Sequence, residues 1–176
     1  METPRLLIRA LSPADREPFL RGISDRELCR MYGFPEEMSA HVAGEIFEHF
    51  SALPSAYALI RKRDGELLGF VTDVETEIPD GLRGALPPRG RTFAYATFPP
   101  YQRRGYMLEA LRALIGSAFC GGTAYIHCGR FEENVPSALL LEKLGFSVRG
   151  RHVYRGRTIV DEILLNDPSA AFLQKE

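Results

Sequence analysis

Cysteine is scarce in this sequence: Cys29, Cys120 and Cys128 make three among 176 residues, an odd count without Cys-x-x-Cys spacing. That excludes a disulfide framework and a paired-cysteine zinc site, and it fits a reducing cytoplasm. No stretch reaches the ~18 consecutive apolar residues of a membrane span, and "METPRLLIRAL" lacks the apolar run of a signal peptide. A cytoplasmic chain without membrane contact is expected. Neither sign of charge is in excess: 22 Lys and Arg against 23 Asp and Glu leave a formal net charge of −1. No global field therefore draws nucleic acid, and any anion site must be local. Repeats, low-complexity tracts and linkers are missing too, so one domain over residues 1–176 is expected. Neither a Rossmann turn nor a P-loop occurs. Without an elbow motif behind a serine, a hydrolase has no footing.

What is present is well punctuated. "RLLIRAL" reads as a first strand, and "SPADREPFL" as a short helix with Ser12 as cap and Pro13 in the first turn. "SDRELCRMYG" predicts a helix from Ser24 to Gly33. "SAHVAGEIFEHFSAL" places Val42, Ile46, Phe47 and Phe50 on one helix face, with His41 and His49 at the surface. "YALIRKRDGELLGFVTDVE" is a hairpin around Asp64-Gly65. "TEIPDGLRGALPPRGR" has no periodicity and reads as a long loop, functional or mobile. After it come the strand "TFAYATF", a helix from Tyr106 to Gly121-Gly122, and the strand "TAYIHC". A helix "ENVPSALLLEKLGF" is capped by Asn134 and stopped at Gly145, and two strands meet at Arg155-Gly156. The order predicts a mixed α/β fold. Cys120 and Cys128 read as small buried residues, and Arg149, Arg151, Arg155 and Arg157 as a solvated hairpin face.

The stretch "PPYQRRGYMLEALRAL" carries the clearest chemistry. A helix N-terminus offers unpaired N–H groups and about half a positive charge, which suits an anion. Gly105 lets the backbone approach a ligand, and Arg103 and Arg104 can add charge-assisted contacts to phosphate.

"QRRGYM" resembles the Gln/Arg-x-x-Gly-x-Gly/Ala pyrophosphate loop of the GNAT N-acetyltransferases. "NVPSALLLEKLGF" resembles that family's next signature, an Asn-x-x-Ser/Ala helix closing in Lys-x-Gly-Phe, and one strand separates the two. "GYMLEA" and the closing "YRGRTIVDEILL" are most similar to the Rim-type branch, which includes ribosomal-protein N-terminal acetyltransferases. The resemblance implies a mostly antiparallel mixed sheet of about seven strands flanked by helices. It implies acetyl-CoA as cofactor, its pyrophosphate held by the main chain of Gln102, Arg103, Arg104, Gly105, Tyr106 and Met107. The pantetheine arm would pair with the strand edge at Ala96, Thr97 and Phe98, with Asn134 as a further contact. An N–H at that edge would polarise the thioester, a role worth roughly 3–4 kcal/mol. Met107 departs from the pattern, since the family has Gly or Ala there.

The implied reaction is direct attack of a neutral primary amine on the thioester. The family's tyrosine acid is replaced by Leu141, while the branch's proposed serine acid falls on Ser137. The branch's glutamate base falls on Thr92. The candidates left for the base are His127, which titrates near neutral pH, Asp73 and Glu75. A site without a strong base suits an α-amine, with pKa ~8, better than a lysine at ~10.4. The acceptor is then a protein N-terminus or a small amine, with the enzyme a monomer or homodimer and no metal required. Two alternatives stay open: an acyl-CoA-binding module with little turnover, and an antibiotic or polyamine acetyltransferase whose acceptor pocket uses Glu75, Glu77 and Asp80.

Overall fold

The computed structural model describes residues 1–74 and 78–167. Among these residues seven strands form one mixed sheet in the order β1-β2-β3-β4-β5-β7-β6. The strands are β1 (Leu6–Ala10), β2 (Ala56–Arg61), β3 (Leu67–Val74), β4 (Gly90–Thr97), β5 (Tyr125–Phe131), β6 (Ser147–Tyr154) and β7 (Arg157–Leu165). The helices are α1 (Arg16–Ile23), α2 (Arg26–Tyr32), α3 (Ala40–Ala52), α4 (Asp80–Arg83), α5 (Tyr106–Cys120) and α6 (Val135–Lys143). The chain divides into two compact units: Met1–Asp73 with Ala94–Ala110, and Val74–Phe93 with the chain from Leu111 onward.

In the first unit β1, β2 and β3 are antiparallel neighbours, with Leu6 opposite Arg61 and Ala58 opposite Phe70. The turn between β2 and β3 uses Gly65 at φ +74°, as the Asp64-Gly65 signal requires. Phe19, Phe47, Phe50, Phe70 and Phe98 cluster with Ile23 and Ala58 into the core. Phe19 meets Phe47, Phe50 and Phe98 edge to face at ring centroid distances of 5.4, 6.0 and 6.1 Å, the geometry aromatic quadrupoles favour. In α3, Phe47 and Phe50 are buried with Ala43, while His41 and His49 are exposed. Pro18 lies in the first turn of α1, where no N–H is lost from the helix ladder, and α1 stays short.

One local detail of the first unit differs from expectation: α2 starts at Arg26, two residues after Ser24. The cap of α2 is Asp25, whose side chain accepts from the Leu28 N–H, while the Ser24 hydroxyl donates back to Leu20. Both residue types cap well, and the one that takes the extended conformation before the helix wins.

In the second unit β4 and β5 run parallel from Gly90 opposite Tyr125 to Thr92 opposite His127. β5, β7 and β6 are antiparallel, with β7 between the other two. The segment expected to be a featureless loop contains α4, a single turn too short to show periodicity, and its Leu82 and Ile78 pack with Tyr125 and Ile163. Glu75 and Glu77 lie outside the described residues. Cys29 and Cys128 are buried, but Cys120 is exposed, because it falls on the last residue of α5 before the Gly121-Gly122 turn. Among the described residues no helix is long and apolar enough to cross a membrane.

Candidate active site

Pro99-Pro100-Tyr101 close β4 in a single 3-10 turn, and the chain then reverses through Gln102–Gly105 into α5. Arg103 has φ +58° and Gly105 φ +75°, so two left-handed residues fold this turn tightly. The Gly105 carbonyl accepts from the Glu109 N–H and so begins the ladder of α5. The first-turn N–H groups of a helix have no partner within it and point out along its axis. Gln102, Arg103, Arg104 and Gly105 are all exposed. The turn therefore presents main-chain donors, two guanidinium groups and the positive end of a helix. Such a donor set can hold an anion. Met107 is buried, with 6% exposure, so the residue that breaks the family's small-side-chain rule turns into the core and leaves the turn clear.

The turn is braced by Arg5, the residue before β1. Arg5 donates through Nη1 to the Arg104 carbonyl at 3.0 Å and through Nε to Glu109 Oε2 at 2.6 Å. Its guanidinium also lies 4.6 Å from the centre of the Tyr106 ring. Glu109 Oε1 accepts from the Arg5 N–H and from the Thr3 hydroxyl. Burial pushes the Glu109 carboxyl up, but these hydrogen bonds outweigh it and hold the group below the ordinary carboxylate value. Neither Arg5 nor Glu109 stands out in the sequence, since nothing local links two residues so far apart.

At the edge of β4, the Phe98 N–H is committed to the Leu68 carbonyl at 2.8 Å, and the Phe98 ring belongs to the core. The Ala96 side chain is also in the core. Gln102 Nε2 donates to the Thr97 carbonyl at 3.0 Å, tying the turn to the strand. A strand residue's own N–H and C=O face the same edge, so the Thr97 N–H faces away from the edge that bonds Leu68. β3 lies very close to this strand: a Cβ at Gly69 would stand 2.1 Å from the Ala96 carbonyl oxygen.

In the second unit Asn134 caps α6 by accepting from the Ser137 N–H at 3.2 Å. Ser137 is half-buried in the first turn of that helix. Leu141, where the family's tyrosine would stand, is fully buried. His127 is buried with both ring nitrogens in hydrogen-bond reach, Nδ1 of Thr92 Oγ1 at 3.2 Å and Nε2 of Asp161 Oδ1 at 3.0 Å. Asp73 is half-buried, and its N–H donates to the Ser55 carbonyl. On the last hairpin, Arg151 pairs with Glu132, and Arg157 pairs with Glu133 while covering the Phe131 ring. Arg149 and Arg155 are exposed. This agrees with a solvated hairpin face.

A family model described as an acetyltransferase (GNAT) domain matches residues 5–147. The uncharacterized N-acetyltransferase YoaA of Bacillus subtilis (strain 168) is 26% identical over 171 residues, which span 92% of each chain. Among solved structures, a spermidine N-acetyltransferase from Vibrio cholerae in complex with CoA and spermine superposes with TM-score 0.74 at 17% identity, covering 93% of this chain and 97% of that one. A ribosomal-protein-S5-alanine acetyltransferase from Vibrio fischeri superposes with TM-score 0.73 at 17% identity, over 96% of this chain and 97% of its own.

Proposed function

The chain belongs to the GNAT acetyltransferase family, and from that premise we propose that it transfers the acetyl group of acetyl-CoA to a primary amine through the residues described above. GNAT enzymes use acetyl-CoA and act on amine acceptors. The observation that carries the reading for this chain is the left-handed turn at Arg103 and Gly105, opening α5 with its main-chain donors exposed. A buried Met107 supports it, because the turn is left unfilled by the one side chain that departs from the family pattern. The family match runs through both compact units, which supports one catalytic domain over residues 1–176.

When bound, acetyl-CoA supplies an activated thioester. The main chain from Gln102 to Met107 holds its pyrophosphate, with Arg103 and Arg104 flanking. β4 takes the pantetheine arm at Ala96 to Phe98, and the Thr97 N–H polarises the thioester carbonyl, since the Phe98 N–H is spent on Leu68. Asn134 contributes a contact while capping α6. Ser137 gives a proton to the departing thiolate, and His127 takes the proton released by the amine.

For the acceptor we propose the α-amine of a protein N-terminus, as in the Rim-type branch. The Vibrio fischeri neighbour is named for such a substrate, and an α-amine needs the least help to lose its proton. The Vibrio cholerae neighbour, named for spermidine, keeps a small polyamine as the competing acceptor. A cytoplasmic monomer or homodimer belongs to the same proposal.

The test has two stages: calorimetric titration with acetyl-CoA, then free coenzyme A release with an N-terminal alanine peptide and with spermidine. Failure to bind acetyl-CoA overturns the reading. Binding without release against either acceptor points instead to an acyl-CoA-binding module. Ser137→Ala should lower kcat at least tenfold while leaving acetyl-CoA affinity within about twofold, the range expected for one proton-transfer group. An unchanged rate would remove Ser137 from the mechanism.

A further inference from the structure

Four polar side chains form one hydrogen-bonded line across β4, β5, β7 and β6. Thr92 Oγ1 lies 3.2 Å from His127 Nδ1, and His127 Nε2 lies 3.0 Å from Asp161 Oδ1. Asp161 Oδ2 in turn lies 2.8 Å from His152 Nδ1. Strand register puts them on one face: Thr92 is opposite His127, while Asp161 sits opposite Gly129 on one side and Gly150 on the other. Both glycines lie beside this line: a Cβ at Gly129 would stand 3.7 Å from His127 Cε1, and one at Gly150 3.4 Å from Asp161 Oδ2. Thr92, His127 and Asp161 are buried, whereas the His152 side chain is 35% exposed.

The donor inventory sets the direction of the bonds that Asp161 makes. Burial pushes the Asp161 carboxyl up, yet hydrogen bonds from His127 and His152 outweigh it and hold the group below its ordinary value. Ionised, it only accepts, so His127 donates from Nε2 and His152 from Nδ1. In its neutral form, the form that can take a proton, His127 carries that one N–H, so Nδ1 accepts and the Thr92 hydroxyl donates to it. The Thr92 oxygen then presents only lone pairs to anything else that approaches. This is the state a proton acceptor needs.

We propose that Thr92 is the group through which His127 takes the acceptor's proton, with Asp161 and His152 as positioning residues that fix the tautomer of His127. This rests on the acetyl-transfer reading and specifies its proton path. The ammonium N–H bond breaks with its electron pair left on nitrogen, and that proton joins Thr92 Oγ1. The Thr92 O–H bond breaks in concert, and its proton joins His127 Nδ1. The hydroxyl is regenerated, the amine is neutral, and the charge rests on an imidazolium facing ionised Asp161. After product leaves, the same two bonds return the proton to water. Thr92 also stands four residues before Ala96 on the strand proposed for the pantetheine arm. The groups facing His127 are Thr92 from β4 and Asp161 from β7; His152 of β6 reaches Asp161, and α4 contributes the apolar Leu82 near Gly150.

The experiment measures coenzyme A release from acetyl-CoA with the N-terminal alanine peptide and with spermidine, for wild type, Thr92→Val, Thr92→Ser and Asp161→Asn. Thr92→Val, nearly isosteric, should lower kcat at least tenfold with unchanged calorimetric affinity for acetyl-CoA, and Thr92→Ser should restore most of the rate. Asp161→Asn should lower kcat with unchanged calorimetric affinity for acetyl-CoA, because His127 Nε2 loses the ionised acceptor that orients it. No turnover by wild type overturns the acetyl-transfer reading itself. Wild-type turnover with a full-rate Thr92→Val overturns the relay alone. Where Thr92→Val lowers the melting temperature, Thr92→Ser decides: a stable, slow Thr92→Ser enzyme also overturns it.

Discussion

Arg5 and Glu109, 104 residues apart in the chain, meet at 2.6 Å and between them hold the turn that opens α5. Arg5 spans that carboxylate and the Arg104 carbonyl, so one side chain couples the start of β1 to the turn. The ion pair itself contributes little, because the Arg5 side chain is 47% exposed and such pairs give about 0–1 kcal/mol. Its effect should be on geometry. Arg5→Ala is expected to raise the KM and calorimetric Kd for acetyl-CoA several-fold, with kcat within about twofold of wild type and a melting temperature little changed. Steady-state kinetics with varied acetyl-CoA check it; a lowered kcat at unchanged KM would place Arg5 elsewhere in the mechanism.

Gly69 faces the Ala96 carbonyl across a gap that admits no side chain, since a Cβ there would stand 2.1 Å from that oxygen and 3.0 Å from Thr97 Cα. Both are main-chain atoms and cannot swing aside. Gly69→Ala should therefore destabilise the protein by about 1–3 kcal/mol or more, the range for overpacking a closed interior. It should also weaken acetyl-CoA binding, because the strand displaced is the one assigned to the pantetheine arm. Urea denaturation and calorimetry read the two effects; an unchanged midpoint would show that β3 has slack.

Acid should unfold the protein through a small set of carboxylates. Asp15, held by Arg9 and Ser12, and Glu109 and Asp161, held as described, all lie below their ordinary values despite burial. A group depressed in the folded state stabilises it fully above the unfolded value, about 4 for these side chains. That stabilisation is lost as pH falls through the lower folded value. The melting temperature should accordingly be flat from pH ~7 to ~5 as far as these groups are concerned, and fall steeply below ~4. Asp15→Asn should lower stability at pH 7 and blunt the acid fall; an unaltered acid slope would exclude Asp15 from the set.

Much of this protein obeys rules that reach only a few residues. The Asp64-Gly65 turn, the Asn134 cap, the left-handed Gly105 and Gly145, and the apolar face of α3 are all legible because each signal lies within one or two turns of chain. α4 is not legible, because four residues carry no period. The cap of α2 falls on Asp25 instead of Ser24, since two adjacent capping residues compete and only the settled backbone chooses. Cys120 and Cys128 look alike in sequence, yet one ends a helix in solvent while burial pushes the other thiol up within β5.

The sequence by itself determined the class of fold, because hydrophobic period, caps and glycine punctuation are local and additive, and its resemblance at two signatures pointed to the family. Only the tertiary structure decided what each polar group does there. His127 reads in sequence as a strand histidine near neutral pH; packing gives it Thr92, 35 residues away, on one nitrogen and Asp161, 34 residues away, on the other. Met107 reads as a breach of the pyrophosphate loop until burial shows its side chain in the core. Hydrogen-bond direction, tautomer and burial depend on partners that the strand register and the packed core bring together, and no stretch of sequence contains them.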